Sequence, residues 1–157
     1  MEDHPVSIKI ISKNKRAYFD YEILEEFEAG IALAGAEVKS VKNSQVNLAD
    51  SFVRFEGDQA YLWNANIAMY KHAYDPSYDP LRSRKLLLKK GEIDMLQSKV
   101  KQARLTVVPL KVYLSRGLVK LSIGLVRGKK QYEKKLKIKE RDLDRELHRE
   151  KRVHMVK

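Results

Sequence analysis

Cysteine is absent from all 157 residues of this chain. That excludes disulfides, thiolate nucleophiles and zinc–thiolate centres. Long apolar runs are missing too, since no window approaches the roughly 18 apolar residues that a membrane-spanning helix needs. In the opening stretch MEDHPVSIKIISKNKR the best run, Val6 to Ile11, is interrupted by Ser7 and Lys9, so no secretion signal is expected. The common catalytic signatures are also lacking. His4, His72, His148 and His154 are scattered, and no two of them flank a carboxylate at helical spacing as a metal hydrolase requires. No serine sits in a nucleophile elbow. Gly128-Lys129-Lys130 has the wrong spacing for a phosphate-binding loop and precedes no Ser or Thr. No internal repeat is visible.

What the chain does have is positive charge, +11 net, alongside 43% apolar residues that can build a core. Such a balance points to a polyanion partner, either nucleic acid or an anionic membrane surface. The charge is uneven. Arg127 to Lys157 hold 13 Lys/Arg against 6 Asp/Glu, a net of +7, while the other 126 residues net only +4.

Residues 1–15 read as a flexible arm. YFDYEILEEF then alternates as a half-buried strand with Phe19, Tyr21 and Ile23 on one side, and Gly30 is expected to break it. IALAGAEVKSVKN spaces Ile31, Ala34, Val38 and Val41 as a short helix, with Lys39 and Lys42 on its other side. SFVRFEG and QAYLWNANIAMY form a hairpin about Gly57-Asp58. HAYDPSYDPLRSR, with two prolines and two aspartates, is a loop. RKLLLKKGEIDMLQSKVKQAR gives a second helix with Ile93, Leu96 and Val100 on one face. LTVVPLKVYLS and LVKLSIGLVR pair around Arg116-Gly117, and Pro109 marks an edge or a bulge. Four to six strands with two short helices predict a mainly β protein, a small antiparallel barrel with helices on its surface over residues 16–127. From Gly128 the alternation stops. Tyr132, Leu136, Leu143 and Leu147 make one thin helical stripe, too little apolar area to order a helix alone. Residues 128–157 are therefore expected to be disordered when free and helical only against a partner.

Two classes of function fit. One is a basic nuclease, in which Asp75, Asp79 and Glu92 hold Mg²⁺; Glu25, Glu26 and Glu28 form another acidic cluster. The plainer reading of such carboxylates is a solvated strand end and a turn, and it is preferred. The other is RNA binding. Cations cluster at Lys13–Lys15–Arg16, Arg82–Arg84–Lys85, Lys89–Lys90 and Arg127–Lys129–Lys130, and Tyr18, Phe19, Tyr70, Tyr74 and Tyr78 lie nearby in sequence. Cations for phosphates with aromatics for bases is the composition of an RNA surface. It also suits a generic single-strand binder.

Several runs together resemble one family. They are NKRA (Asn14 to Ala17), EAGIALAGAEVKSVK (Glu28 to Lys42), NLADSFV (Asn47 to Val53), YDPLRSRKLLL (Tyr78 to Leu88), LTVVPLKVYLSRGLVKLSIGLVRGKKQYEKK (Leu105 to Lys135) and IKERD (Ile138 to Asp142). In this order, over Asn14 to Arg145, they are similar to the SsrA-binding proteins, the small basic bacterial partners of tmRNA. The resemblance implies an OB-like β-barrel with short flanking helices and a basic C-terminal tail. It implies a cytoplasmic monomer with no catalysis, cofactor, metal or membrane partner. Such a protein binds the tRNA-like domain of tmRNA and supports its charging by alanyl-tRNA synthetase and its delivery with elongation factor Tu. It brings tmRNA to stalled ribosomes for trans-translation, its tail lying in the small-subunit decoding centre and the empty mRNA channel. Carried over residue by residue, the RNA contacts fall on Glu28, Leu87 and Lys120, joined by Asn14, Lys15, Arg16, Arg84 and Lys85. The ribosome contacts fall on Phe19, Gly128, Lys129, Lys130, Tyr132, Glu133, Lys134 and Lys135. The chain departs from the family pattern where Phe19 replaces a histidine, Glu133 an aspartate, Lys135 an arginine and Tyr78 the histidine of HDP.

Overall fold

The two strongest hairpin signals form the frame of the computed structural model, which describes residues 8–101 and 105–129. In chain order the elements are β1 (Ile8–Lys13), α1 (Lys15–Asp20), β2 (Tyr21–Ile31), α2 (Gly35–Lys42), β3 (Val46–Asn47), β4 (Phe52–Glu56), β5 (Gln59–Trp63), β6 (Asn66–Ile67), β7 (Arg84–Leu87), α3 (Lys90–Lys101), β8 (Leu105–Ser115) and β9 (Leu118–Gly128). Strands β8 and β9 pair from Leu105↔Arg127 to Ser115↔Leu118. The turn between them is held by Arg116 and Gly117, whose φ of 52° and 77° supply the left-handed backbone that a tight hairpin needs. Strands β4 and β5 pair from Phe52↔Trp63 to Glu56↔Gln59.

Antiparallel pairings run β9–β2–β7–β5–β4–β8 and return to β9, closing a ring of six strands; β1 adds to the outer edge of β8. Closure removes all but one of the exposed edges that an open sheet would carry. Inside lie Val53, Leu62, Leu86, Val107, Val112, Leu121, Ile123 and Leu125, with Leu96 of α3 packed among them. The expected helix face Ile93–Leu96–Val100 is the one that packs: Ile93 and Leu96 are buried, and Val100 is half-buried against the core. A second, smaller cluster lies outside the barrel, where Ala17 of α1 covers Val108, Leu110 and Val126. Pro109 sits at neither a free edge nor a strand end; the β8–β9 register shifts between Pro109 and Lys111.

The mainly β class and both hairpin turns match expectation. The described residues hold nine strands and three helices where four to six and two were expected. The strand expected over QAYLWNANIAMY stops at Trp63, with Asn66–Ile67 pairing β3 instead, and four further details differ. The arm expected over residues 1–15 becomes strand β1 from Ile8, because the outer edge of β8 offers it a ladder down to Lys13↔Lys111. The alternation expected from Tyr18 begins only at Tyr21, since Asn14 caps a helical turn over Lys15–Asp20. Gly30 does not end β2. It is a close approach, where a Cβ would sit 3.1 Å from the Cβ of Leu87 on the neighbouring strand. RKLLL does not open a helix. Arg84–Leu87 is a strand between β5 and β2, with Arg84 and Leu86 inward and Lys85 and Leu87 outward, and α3 starts after it. Pairing on both sides overrides local helix propensity there.

The closure at β7 rests on a buried ion-pair network. Glu37 of α2 is 1% exposed and Arg84 0%. Arg84 donates from Nε to Glu37 Oε2 at 2.8 Å, from Nη1 to Ala65 O at 2.8 Å, and from Nη2 to Pro80 O at 3.0 Å and Tyr78 Oη at 3.2 Å. Arg82 donates to both Glu37 oxygens. The Glu37 Oε1 atom also accepts from the Ala34 amide at 2.9 Å. Burial pushes the Glu37 carboxyl up, but the Arg82, Ala34 and Arg84 hydrogen bonds outweigh it and leave its pKa below the ordinary 4.5.

Replacing Glu37 by Gln leaves the Arg84 charge buried without its counter-ion. Chemical denaturation is expected to show a loss of about 3 kcal/mol. Because the folded-state pKa is depressed, the Glu37 contribution is complete above the ordinary 4.5 and lost as pH falls through the lower folded value. The wild-type midpoint should therefore drop across that acid window, and Glu37→Gln should flatten the drop.

Candidate nucleic-acid interface

Strand alternation decides what the barrel shows to solvent. On β9 the inward residues Leu121, Ile123 and Leu125 leave Lys120, Ser122, Gly124 and Val126 facing out. On β2, Glu26, Glu28 and Gly30 lie opposite Gly124, Ser122 and Lys120. On β7, Leu87 lies opposite Gly30. Leu87, Gly30 and Lys120 therefore form one row across three strands, and Gly30 lets Leu87 lie flat over β2. Glu28 is two residues from Gly30 on the same side, with its Oε1 3.7 Å from Lys120 Nζ. Leu87 and Leu118, 56% and 61% exposed, line a shallow groove with Gly30, Leu33, Val38 and Lys120.

Glu28 is held from two sides. Besides Lys120 it meets the hydroxyl of Tyr113, whose pKa is pushed up to about 12 by burial and then by the Glu28 hydrogen bond and charge. Tyr113 lies directly opposite Lys120 in the β8–β9 ladder. The carboxylate is thus oriented, and it stays largely in solvent, where its remaining lone pairs can accept from an amino group.

Of the residues singled out by sequence, Glu28, Leu87 and Lys120 converge, and Lys85 stands exposed two residues from Leu87 on the same side of β7. Sequence reasoning missed Arg54, Tyr61 and Leu118. Tyr61 lies between Arg54 and Lys85 in register. Alternation in FVRFE and QAYLW gives their side of the strand, but only the register makes them neighbours of Lys85.

Lys15 and Arg16 are exposed on α1, which covers the Val126 end of the same outer surface. Six residues along β9 put that end roughly 20 Å from Lys120. Arg16 is paired with Asp50 at 3.0 Å and Asp20 at 3.7 Å. Phe19 is half-buried in α1. Gly128 pairs with Tyr21, Lys129 N donates to Asp20 O at 3.0 Å, and Lys129 Nζ donates to Tyr18 O at 3.2 Å. The start of the basic tail is thus tied to the C-terminal end of α1, beside Phe19. Lys130, Tyr132, Glu133, Lys134 and Lys135 lie outside the described residues, as does the helix expected over the tail.

Two expected RNA contacts are corrected. Asn14 is 6% exposed and its side chain is fully engaged: Nδ2 donates to Pro109 O at 2.8 Å and Leu48 O at 3.3 Å, and Oδ1 accepts from the Ala17 amide at 3.2 Å. Arg84 is fully enclosed and spends four hydrogen bonds within the Glu37 network. Neither side chain is open to a ligand; Asn14 holds α1 and Arg84 holds β7.

The carboxylates of the nuclease reading are turn closers. Asp75 Oδ1 accepts from the Ser77 amide and hydroxyl, Asp79 Oδ1 from the Leu81 amide, and Glu92 Oε1 from the Lys89 amide. Glu25 pairs with Lys99, and Glu26 accepts from the Ser122 hydroxyl. Among the described residues no three His, Asp or Glu side chains are grouped to hold a metal ion. No helix among them is long and apolar enough to cross a membrane.

A closed, basic β-barrel with an open outer face of cations, exposed leucines and an oriented carboxylate is built as a recognition domain. The family model described as SmpB protein matches residues 11–153, and the chain belongs to that family. It is similar to the SsrA-binding protein of Persephonella marina, with 51% identity over 90% of this chain and 93% of the relative. The SsrA-binding protein of Thermosynechococcus vestitus is 50% identical over 91% of this chain and 95% of its own. A chain in a solved structure described as "tmRNA-SmpB: a journey to the center of the bacterial ribosome" is 47% identical, with TM-score 0.61, over 82% of this chain and 87% of that one.

The Asn14 geometry makes a prediction separable from RNA. Asn14→Ala removes the α1 cap and the side-chain donor to the Pro109 carbonyl, while Leu48 O keeps Ser51, and is expected to cost about 2 kcal/mol in a denaturant titration. Lys15→Ala, on the exposed side of the same turn, should stay within about 0.5 kcal/mol of wild type.

Proposed function

We propose that this protein binds the tRNA-like domain of tmRNA on the outer face of β7, β2 and β9 and carries it to stalled ribosomes for trans-translation. The observation that carries the reading is the convergence of Leu87, Glu28 and Lys120, from three separate strands, around Gly30. The names of the relatives and the description of the solved neighbour support tmRNA and the ribosome as partners. Lys120 and Lys85 neutralise phosphates, Leu87 packs against an unstacked base, and Glu28 accepts from base amino groups. Lys15 and Arg16 extend the cationic surface. Asn14 and Arg84 act by holding α1 and β7.

In this reading the tail from Gly128 works separately. Phe19, Gly128, Lys129, Lys130, Tyr132, Glu133, Lys134 and Lys135 meet the decoding centre and mRNA channel of the small subunit, where rRNA phosphates offset the tail's excess positive charge and the Tyr132–Leu147 stripe becomes helical. Alanyl-tRNA synthetase and elongation factor Tu are reached through tmRNA. The protein acts in the cytoplasm, as a monomer and without catalysis.

A gel-shift series with the tRNA-like domain, ordinary tRNA and a linear oligonucleotide checks the first half. Lys120→Glu should weaken the tRNA-like complex about tenfold or more, and the slope of log affinity against log salt should fall by about one. The charge swap Glu28→Lys with Lys120→Glu restores the ion pair and the stability. If it also restores binding, the two residues are structural and the face assignment fails. Truncation after Gly128 should keep affinity within a few-fold and abolish peptide tagging in a reconstituted assay. A loss above about a hundredfold, which is ~2.7 kcal/mol, would move the binding site into the tail.

A further inference from the structure

The loop from residue 68 to residue 83 is not mere slack between β6 and β7. Its base is clamped. Tyr78 Oη donates to Ile67 O at 2.7 Å and accepts from Arg84, and Ile67 N donates to Pro80 O at 3.1 Å. Its middle is folded on itself, with the Ala73 amide donating to Tyr70 O at 3.0 Å and the Tyr78 amide to Asp75 O at 3.1 Å. The result is a cleft of about 300 Å³ against the first turn of α2, lined by Ala34, Met69, Tyr70, Tyr74, Tyr78 and Arg82. Tyr74 is 81% exposed at its mouth, and Met69 is also exposed. Apolar and aromatic walls with a guanidinium and a carboxylate nearby make a slot for a flat ring with polar edges. A volume at the low end of small-molecule sites fits one such ring system.

The rim selects the kind of ring. Lys39 Nζ stands 5.4 Å from the centre of the Tyr70 ring, and Lys42 and Lys71 are exposed close by in sequence. Cations beside stacked aromatics suit a base attached to its phosphate. The cleft also adjoins the proposed RNA face: Ala34, Ala36 and Glu37 of α2 border the cleft, while Leu33 and Val38 border the Leu87–Lys120 groove. One strand can lie in the groove and drop a base into the cleft across a single turn of helix.

We propose that this cleft takes one unstacked nucleobase from a single-stranded part of the bound RNA, between Tyr70, Tyr74 and Met69, with Arg82 and Asp75 at its polar edge. The natural occupant rests on the RNA-binding reading above; the ring-binding property does not. Because the Glu37 network fixes the loop beforehand, little ordering cost attaches to binding.

The test uses the full chain, labelled at its methionine and alanine methyl groups, titrated with each of the four nucleoside 5′-monophosphates and with inorganic phosphate. The expected result is a saturable shift of the Met69 and Ala73 methyls, with a dissociation constant on the order of a millimolar for at least one nucleotide, and none with phosphate alone. Tyr74→Ala, at an exposed position with no part in the core, should weaken that binding about fivefold or more, and Lys120→Glu should leave it unchanged. Methyls that stay fixed well above the millimolar range, shifts reproduced by phosphate, or an unaffected Tyr74→Ala would each overturn the site. A fixed spectrum would leave the cleft to a protein side chain instead. The gel shift answers separately: failure to bind the tRNA-like domain overturns the RNA reading and leaves the nucleotide result standing, and the converse also holds.

Discussion

The carboxylate of Glu37, enclosed and shared by Arg82 and Arg84, is the constraint from which most of the structure's exposed chemistry follows. A buried arginine needs acceptors for its N–H groups, and here four hydrogen bonds reach Glu37 of α2, Ala65 after β5, and the loop at Tyr78 and Pro80. Fixing Arg84 inward fixes the phase of β7. Since a strand alternates, Lys85 and Leu87 must then point out, and a slip of one residue would exchange the two sets. The same bonds close the barrel between β5 and β2 and hold the 68–83 loop against α2. One ion-pair network therefore seals the core, aims two residues of the outer face, and shapes a cleft beside it.

Asn14 does comparable work at the other end. The register shift after Pro109 leaves the Pro109 carbonyl to the Asn14 side chain, while the Asn14 amide donates to Leu110 O at 2.7 Å. The carbonyl oxygen of the same side chain starts α1. That helix covers Val108, Leu110 and Val126, a patch that would otherwise be an apolar stripe on the outside of the barrel. Gly124 is part of the fit, since a Cβ there would sit 2.8 Å from Leu110 Cδ1. With α1 in place, its last residues receive Lys129, and the point where the basic tail leaves the barrel is set.

The barrel offsets its own charge locally. Glu22 pairs with Arg127, Glu25 with Lys99, Glu28 with Lys120, Glu37 with Arg82 and Arg84, and Asp50 with Arg16. The buried Glu37 network apart, these pairs are exposed and worth little in stability, roughly 0–1 kcal/mol each. Their effect is on geometry, because each carboxylate holds its cation in a fixed place. Residues 1–126 net only +4, against +7 over Arg127 to Lys157. Charge is thus distributed in two ways along one chain: paired on the barrel, and dense in the sequence beyond it.

The mainly β class, the hairpins about Gly57-Asp58 and Arg116-Gly117, the packing face of α3 and the family resemblance were all legible in the residues, because alternation, turn chemistry and ordered motifs are local. Strand β7, the continuation of β2 through Gly30 and the conversion of the arm into β1 were not. RKLLL, EAGI and IKIISK carry no local mark of the strands that pair with them, and the ladder partners come from tens of residues away. The same limit divides the site. Lys85, Leu87, Glu28 and Lys120 could be named from motifs, but so could Asn14 and Arg84, which share those motifs and the same polar chemistry. Only tertiary structure separates the two groups, because whether a polar side chain faces a partner or a buried carbonyl depends on strand phase and on what closes over it, and neither is a property of the residue or its neighbours in sequence.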